Sequence, residues 1–291
     1  QTAKGLWSVY SIITIACIGC FVAVGMPFDD ALLHAFSTMG LGGFSSHDSS
    51  FGYFNSPAME AVCVFFMLLA GINFATHFLV ITRRSIKPYI VDKEAHAFLL
   101  VMLFSVLIIT YFLWRERVYP DWITAFRYAA FNVVSIATTT GLATTDFNLW
   151  PAFAPVWMLF LCCFSTAAGS TGGGIKMVRA QLLLKQSYAE LRRLVHPRAL
   201  IVVKLNGRPI GTSVLYSILA FVLLYGATII ACTMLMLFSG ADVVTGFTAV
   251  IACINSTGPG LNQVGPATTY AVLTDFQIWI CSIAMLLGRL E

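Results

Sequence analysis

Hydrophobic positions in this chain fall into long runs separated by shorter ones. Runs long enough to cross a bilayer occur at about 6–26, 58–81, 97–114, 153–169, 213–238 and 268–288, and the third and fifth are the cleanest. Between them lie short apolar runs at about 30–39, 121–136 and 242–255. Each short run opens on acid: Asp29 and Asp30, Asp121, and Asp242. Carboxylates suit a helix N-terminus, where free N–H groups point outward. Runs this short do not span, so they predict re-entrant helices, with an interfacial loop as the alternative. The stretch from Val178 to Arg208 has a different pattern. Its leucines and charges alternate at helical spacing, which predicts an amphipathic helix ended by Pro197 and followed by a tight turn at Asn206-Gly207-Arg208-Pro209.

Composition places these elements in a membrane. Of 291 residues, 58% are hydrophobic and 10% charged, against roughly 45–50% and ~25% for soluble domains. The mean hydropathy is +0.84. A soluble enzyme and a disordered chain are both excluded, because too few charges exist to solvate a surface. The eight cysteines sit inside apolar runs and read as packing residues, Cys17 and Cys20 included. The chain opens at Gln1 and closes at Arg289-Leu290-Glu291 directly after an apolar run, and both ends look cut.

Charge then orients the segments. Lys4, Arg83, Arg84, Lys87, Lys93 and eight basic residues between Lys176 and Arg208 fall on one side, 13 of the 17 in the chain. Nine of the 13 acids fall on the other, among them Asp29, Asp30, Asp48, Asp121, Asp146 and Asp242. The basic side is therefore expected to be cytoplasmic, and the acidic outer face would raise the local cation concentration.

The same order recurs three times: long apolar run, acid-capped short run, glycine-containing loop, long apolar run. Residues 37–48 and 135–146 carry Ser, Gly and Asp at equal offsets, and residues 252–261 keep the glycine. Each unit would cross twice and so keep one orientation. That favours units around a central axis over inverted-repeat carriers. Backbone at membrane depth must be buried or face water. A short helix ending in Ser, Thr and Gly leaves carbonyls free, and several such loops could replace the hydration shell of a monovalent cation. No acidic side chain lies inside these loops, which disfavours a divalent ion.

The stretches 35–48, 137–147, 165–176, 196–209 and 258–261 together resemble the membrane subunit of Trk-type bacterial potassium uptake systems, in the Trk/Ktr/HKT superfamily, over essentially the whole chain. The resemblance implies an all-α integral membrane fold of repeated helix–pore helix–filter loop–helix units, three here of an expected four. The units would be 1–95, 96–211 and 212–291, corresponding to the second, third and fourth of the family, with the last cut short. It implies potassium uptake through a gated, channel-like pore, and no enzymatic activity. A sodium-preferring or non-selective monovalent cation transporter of the same superfamily is the alternative. The filter would be Leu41, Gly42, Gly43, Thr139, Thr140, Gly141, Ser256, Thr257 and Gly258, with potassium at Gly43, Gly141 and Gly258; Gly40 offers a rival register in the first loop.

The run Gly169, Ser170, Thr171, Gly172, Gly173, Gly174 breaks an apolar stretch near mid-depth. A phosphate-binding loop is excluded, because Ile175 separates Gly174 from Lys176, no Ser or Thr follows, and no strand precedes. A close helix crossing and a broken helix lining a cavity both fit. The family resemblance makes the segment a gate below the filter, with Arg289 as the neighbouring cavity arginine; a snorkelling arginine is the alternative. His34, His47, His77, His96 and His196 lack paired metal-ligand spacing, and Asn73 and Asp275 stand out as polar residues in long runs. By the same resemblance, the chain is a multi-pass protein of the bacterial cytoplasmic (inner) membrane. It would be homodimeric, with a cytosolic nucleotide-binding regulatory subunit on the basic segment Lys176–Arg208. Potassium is the substrate, and neither a cofactor nor nucleic acid is expected.

Overall fold

The computed structural model describes residues 2–196, 202–205 and 208–290. Three long apolar helices, α1 (Thr2–Ala23), α6 (Lys93–Arg115) and α10 (Thr212–Phe238), match the first, third and fifth apolar runs. At 1.5 Å per residue each exceeds the ~30 Å hydrocarbon layer. Trp7, Ile15, Leu100, Phe104, Leu223 and Leu224 are exposed on these helices, which suits contact with lipid rather than water.

Each long helix is followed by a short one: α2 (Phe28–Gly40), α7 (Trp122–Ala137) and α11 (Val243–Ile254). Asp121 and Asp242 are true N-caps, accepting from the backbone N–H of Thr124 (2.8 Å) and Thr245 (3.0 Å). The first unit departs from this. Pro27 precedes α2, no side chain caps it, and Asp29 and Asp30 sit in its first turn. Asp30 instead accepts from Ser46 Oγ (2.6 Å) and pairs with His47 Nε2 (3.2 Å), tying the helix start to the loop beyond its end.

The returning elements are less regular than the apolar runs suggest. The run 58–81 is not one helix: α3 (Pro57–Ala70) and α4 (Phe74–Arg83) meet at a 93° bend. Asn73 restarts the helix, its Oδ1 accepting from Ala75 N–H at 2.8 Å. The run 153–169 is α-helical only as α8 (Phe153–Cys162), and the run 268–288 divides into a 3-10 turn at Tyr270–Val272 and α12 (Asp275–Arg289), opened by a Thr274–Gln277 capping box. Hydropathy locates apolar stretches but is blind to a break whose polar groups are satisfied locally. The short α5 (Lys87–Val91) and the amphipathic α9 (Met177–Val195) carry part of the basic charge. Beyond α9, β1 (Lys204–Leu205) pairs antiparallel with β2 (Arg208–Pro209). Pro197 and the Asn206-Gly207 pair lie outside the described residues.

A continuous apolar core joins the first two units, built on Phe51, Phe98, Phe131 and Met158, while the third unit packs around Met236, Val250 and Ala284. An ion pair crosses between the first two. Arg127 on α7 donates through Nε and Nη2 to the two oxygens of Glu60 on α3, both at 2.7 Å, and also to Asn55 (2.9 Å). The Glu60 side chain is only 4% exposed, and the fork supplies both of its oxygens with a donor. Replacing Arg127 by Ala strands a buried carboxylate and should cost roughly 3 kcal/mol. Thermal unfolding of the detergent-solubilised protein is expected to fall by several degrees in Arg127→Ala and less in Glu60→Gln.

Candidate functional site

The three short helices end in the same backbone turn. At the end of α2, the N–H groups of Leu41 and Gly42 return to the carbonyls of Thr38 (3.3 Å) and Ser37 (2.8 Å). Thr139 and Thr140 return to Ile136 (3.0 Å) and Ser135 (2.8 Å), and Ser256 and Thr257 to Cys253 (2.9 Å) and Ala252 (2.8 Å). Each is a Schellman closure. Leu41, Thr139 and Ser256 take the left-handed conformation at φ 49°, 62° and 54°, and Gly43, Gly141 and Gly258, two residues on, take it again at 71°, 88° and 101°. This alternation decides the register in backbone terms: Gly43 has the conformation of Gly141 and Gly258, whereas Gly40 is the last residue of α2.

With their N–H groups turned back into the helix, the loop carbonyls lack donors. Among the described residues, no hydrogen bond reaches the carbonyl oxygens of Leu41, Gly42, Gly43, Thr139, Thr140, Gly141, Ser256 or Thr257. The Gly258 carbonyl differs, accepting from Tyr270 Oη at 2.8 Å. The loops also stand side by side. A side chain at Gly43 would strike the Thr140 carbonyl, and one at Gly141 would strike the Thr257 carbonyl, while the same position at Gly258 has nothing within 4 Å. Outside the loops lies a cavity of about 370 Å³ lined by Asp48, Thr144, Asp146 and Pro266. Bonding to Ser46 keeps Asp30 below the ordinary carboxylate range, and their own cap bonds to Thr124 and Thr245 do the same for Asp121 and Asp242.

On the inner side, a second cavity of about 370 Å³ brings together Leu41, Thr139 and Ser256 from the three turns, Thr171 and Gly173 from the glycine-rich segment, and Arg289. The last helix thus aims its arginine at the same space. The glycine-rich segment touches the inner ends of all three short helices. Thr171 Oγ1 donates to the Met39 carbonyl (3.0 Å), Gly173 N–H donates to Thr139 Oγ1 (2.8 Å), and a side chain at Gly173 would strike the Asn255 carbonyl. Gly169 and Gly174 have φ of 72° and 84°. Side chains there would also meet Asn73 Oδ1 at 2.8 Å and the Cys162 carbonyl at 2.7 Å. Gly172 lies against the side chain of Thr166, and Ser170 Oγ donates to the Ala167 carbonyl (2.6 Å).

The anchors of this segment include residues whose role the sequence pattern did not reveal. One Glu94 oxygen accepts from both Ala168 N–H (2.8 Å) and Val178 N–H (3.0 Å), clamping the two ends of the segment. Lys176 Nζ donates to the Gly172 carbonyl, and Phe74 N–H to Gly169 (3.1 Å). Asn73 thus serves as a helix cap placed against the segment. The charge of Glu94 beside an apolar run was the available signal. Two histidines have a local structural role in the first loop: His34 accepts or donates at Ser45 Oγ (3.0 Å), and His47 stacks on Tyr53 at 3.6 Å.

The family model described as TrkH, cation transport protein, matches residues 1–291. The chain belongs to this family. It is 40% identical over its full length to the Trk system potassium uptake protein TrkH of Salmonella typhimurium, and 40% identical to the Trk system potassium uptake protein TrkG of Escherichia coli. It covers 60% and 59% of those proteins, so the chain spans about three fifths of the length of these relatives. The crystal structure of the potassium transporter TrkH from Vibrio parahaemolyticus superposes with a TM-score of 0.94 at 39% identity, covering 99% of this chain and 62% of the other. Membership makes the chain a helical membrane protein with pore-loop-like repeats.

The loop packing predicts an asymmetry between neighbouring glycines. Gly141→Ala combines a left-handed φ with a collision against backbone, and should cost at least about 2 kcal/mol. Gly42→Ala meets only the Phe44 ring, at 3.2 Å, without a left-handed φ, and should cost under ~1 kcal/mol. Paired thermal melts of the two variants check this.

Proposed function

We propose that this chain builds three sides of a potassium pathway, through which the full-length protein takes up potassium across the bacterial inner membrane in a channel-like manner. The observation that carries the reading is the thrice-repeated turn at Leu41–Gly43, Thr139–Gly141 and Ser256–Gly258, whose carbonyls, that of Gly258 excepted, accept no hydrogen bond among the described residues. Cations gather at the acidic outer mouth near Asp48 and Asp146. Potassium then exchanges its water for carbonyl oxygens, favoured by the negative ends of α2, α7 and α11. The absence of carboxylates within the three turns suits a weakly bound, exchangeable monovalent ion.

Below the filter, residues 169–174 act as the gate, and Arg289 opposes cation occupancy of the inner cavity. Opening must release the contacts of Thr171 with Met39 and of Gly173 with Thr139, which links the gate mechanically to two filter loops. The three units are 1–95, 96–211 and 212–291. We place the missing side of the ring beside Gly258, which alone of the three filter glycines has open space at its Cα. The protein is multi-pass and homodimeric, and the basic face of α9, with Lys185, Arg192 and Arg193, receives a cytosolic nucleotide-binding subunit. The remainder of the basic segment includes Arg198, which lies outside the described residues.

Reconstituted full-length protein tests these roles. Gly141→Ser should reduce the preference for potassium over sodium in competition flux, and shortening residues 169–174 should raise potassium flux. Unchanged selectivity in the first, or unchanged flux in the second, contradicts the corresponding assignment. If a fourth loop closes the ring, Gly258→Ala in the full-length protein should destabilise as much as Gly141→Ala; a cost limited to the backbone penalty of ~1–2 kcal/mol contradicts closure there.

A further inference from the structure

A cavity of about 640 Å³ opens on the cytoplasmic side between α4, α5, α6 and α9. Arg83, Lys87 and Lys93 line it, and none of them takes part in an ion pair among the described residues. Its two carboxylates are already engaged. Asp92 accepts from the N–H groups of Glu94 and Ala95 (both 3.1 Å) and from Thr76 Oγ1 (2.7 Å), while Glu94 accepts from Ala168 and Val178. Three cations without carboxylate partners around one cavity call for an anionic ligand.

Its position says which kind. Lys93 is the first residue of the spanning helix α6, so the cavity lies at the level of the inner membrane interface. Beside it, Ile86 at the N-cap of α5 and Ile90 and Val91 within it are exposed at 68%, 62% and 72%. A soluble anion has no use for that apolar flank, whereas acyl chains do. We propose that this cavity holds the phosphate group of an anionic phospholipid of the cytoplasmic leaflet, with its chains along α5, and that occupancy biases the glycine-rich segment. The route is short. Asn73 and Glu94 both line the cavity; Asn73 stands against Gly169, and Glu94 clamps Ala168 and Val178. The binding claim stands on the cavity alone, and only the bias rests on residues 169–174 being the gate.

Native mass spectrometry of the purified full-length protein tests binding without any transport readout. Phosphatidylglycerol should be retained in preference to phosphatidylcholine, and Arg83→Gln/Lys87→Gln/Lys93→Gln together should lower retention at least about tenfold. Arg115→Gln/Arg117→Gln, on the opposite face, should leave it unchanged. The single change Lys87→Glu on exposed α5 should lower it in the same direction and guards against misfolding of the triple variant. Retention unchanged in both cavity variants overturns the proposal, as does displacement of the lipid by millimolar inorganic phosphate, which assigns the site to a soluble anion. Loss of the cytosolic regulatory protein with lipid retention intact also overturns it, in favour of a protein-docking surface. Potassium flux in vesicles should rise or fall with phosphatidylglycerol content for the wild type and not for the triple variant. Lipid retention without that dependence removes the bias and keeps the site.

Discussion

Backbone polar groups at membrane depth have no water to turn to, and the architecture follows from how this chain meets that demand. The N–H groups are easily satisfied: at Leu41 and Gly42, Thr139 and Thr140, and Ser256 and Thr257 they fold back onto the short helix that precedes them. The carbonyls of the same residues are then left over. A lone unsatisfied carbonyl in hydrocarbon costs several kcal/mol, but three sets facing a common space can share a partially dehydrated cation. The acid caps, the left-handed glycines and the close loop packing all serve that single arrangement.

The glycine-rich segment is held by the same economy of hydrogen bonds. It borrows acceptors from α2 and from the turn after α7, through Thr171 to Met39 and Gly173 to Thr139, while Ala168 and Val178 on its two flanks donate their N–H groups to Glu94. The glycine-rich segment and the ends of the short helices therefore share hydrogen bonds. A movement of residues 169–174 disturbs the hydrogen bonds that rest on the ends of α2 and α7, so under the proposed function conduction and selectivity are coupled. The 93° bend between α3 and α4 belongs to this design, since it places Asn73 beside Gly169.

Much of this was legible in the residues. The threefold repeat, the acid-led short helices, the amphipathic α9 and the membrane setting follow from hydropathy and charge spacing. The register of the first loop did not, because Gly40, Gly42 and Gly43 are equivalent as letters; φ at Leu41 and Gly43 separates them. The breaks at residues 71–73 and after Cys162 were hidden inside apolar runs, where composition carries no trace of a local cap or a long-range clamp. Lys176 read as one of the basic charges that set orientation, and only the fold shows it and Glu94 holding the glycine-rich segment. The Arg127–Glu60 fork spans 67 positions in sequence and has no local signature.

The central claim is that the three turns face one ion. Anomalous diffraction from crystals of the full-length protein grown with rubidium or thallium ions tests it most directly. The account predicts a density peak shared by the carbonyls of Gly43, Gly141 and Gly258 or of the residues preceding them. It also predicts that the peak weakens when sodium replaces potassium in competition. Ions found only at the outer mouth by Asp48 and Asp146, with none between the turns, would contradict it.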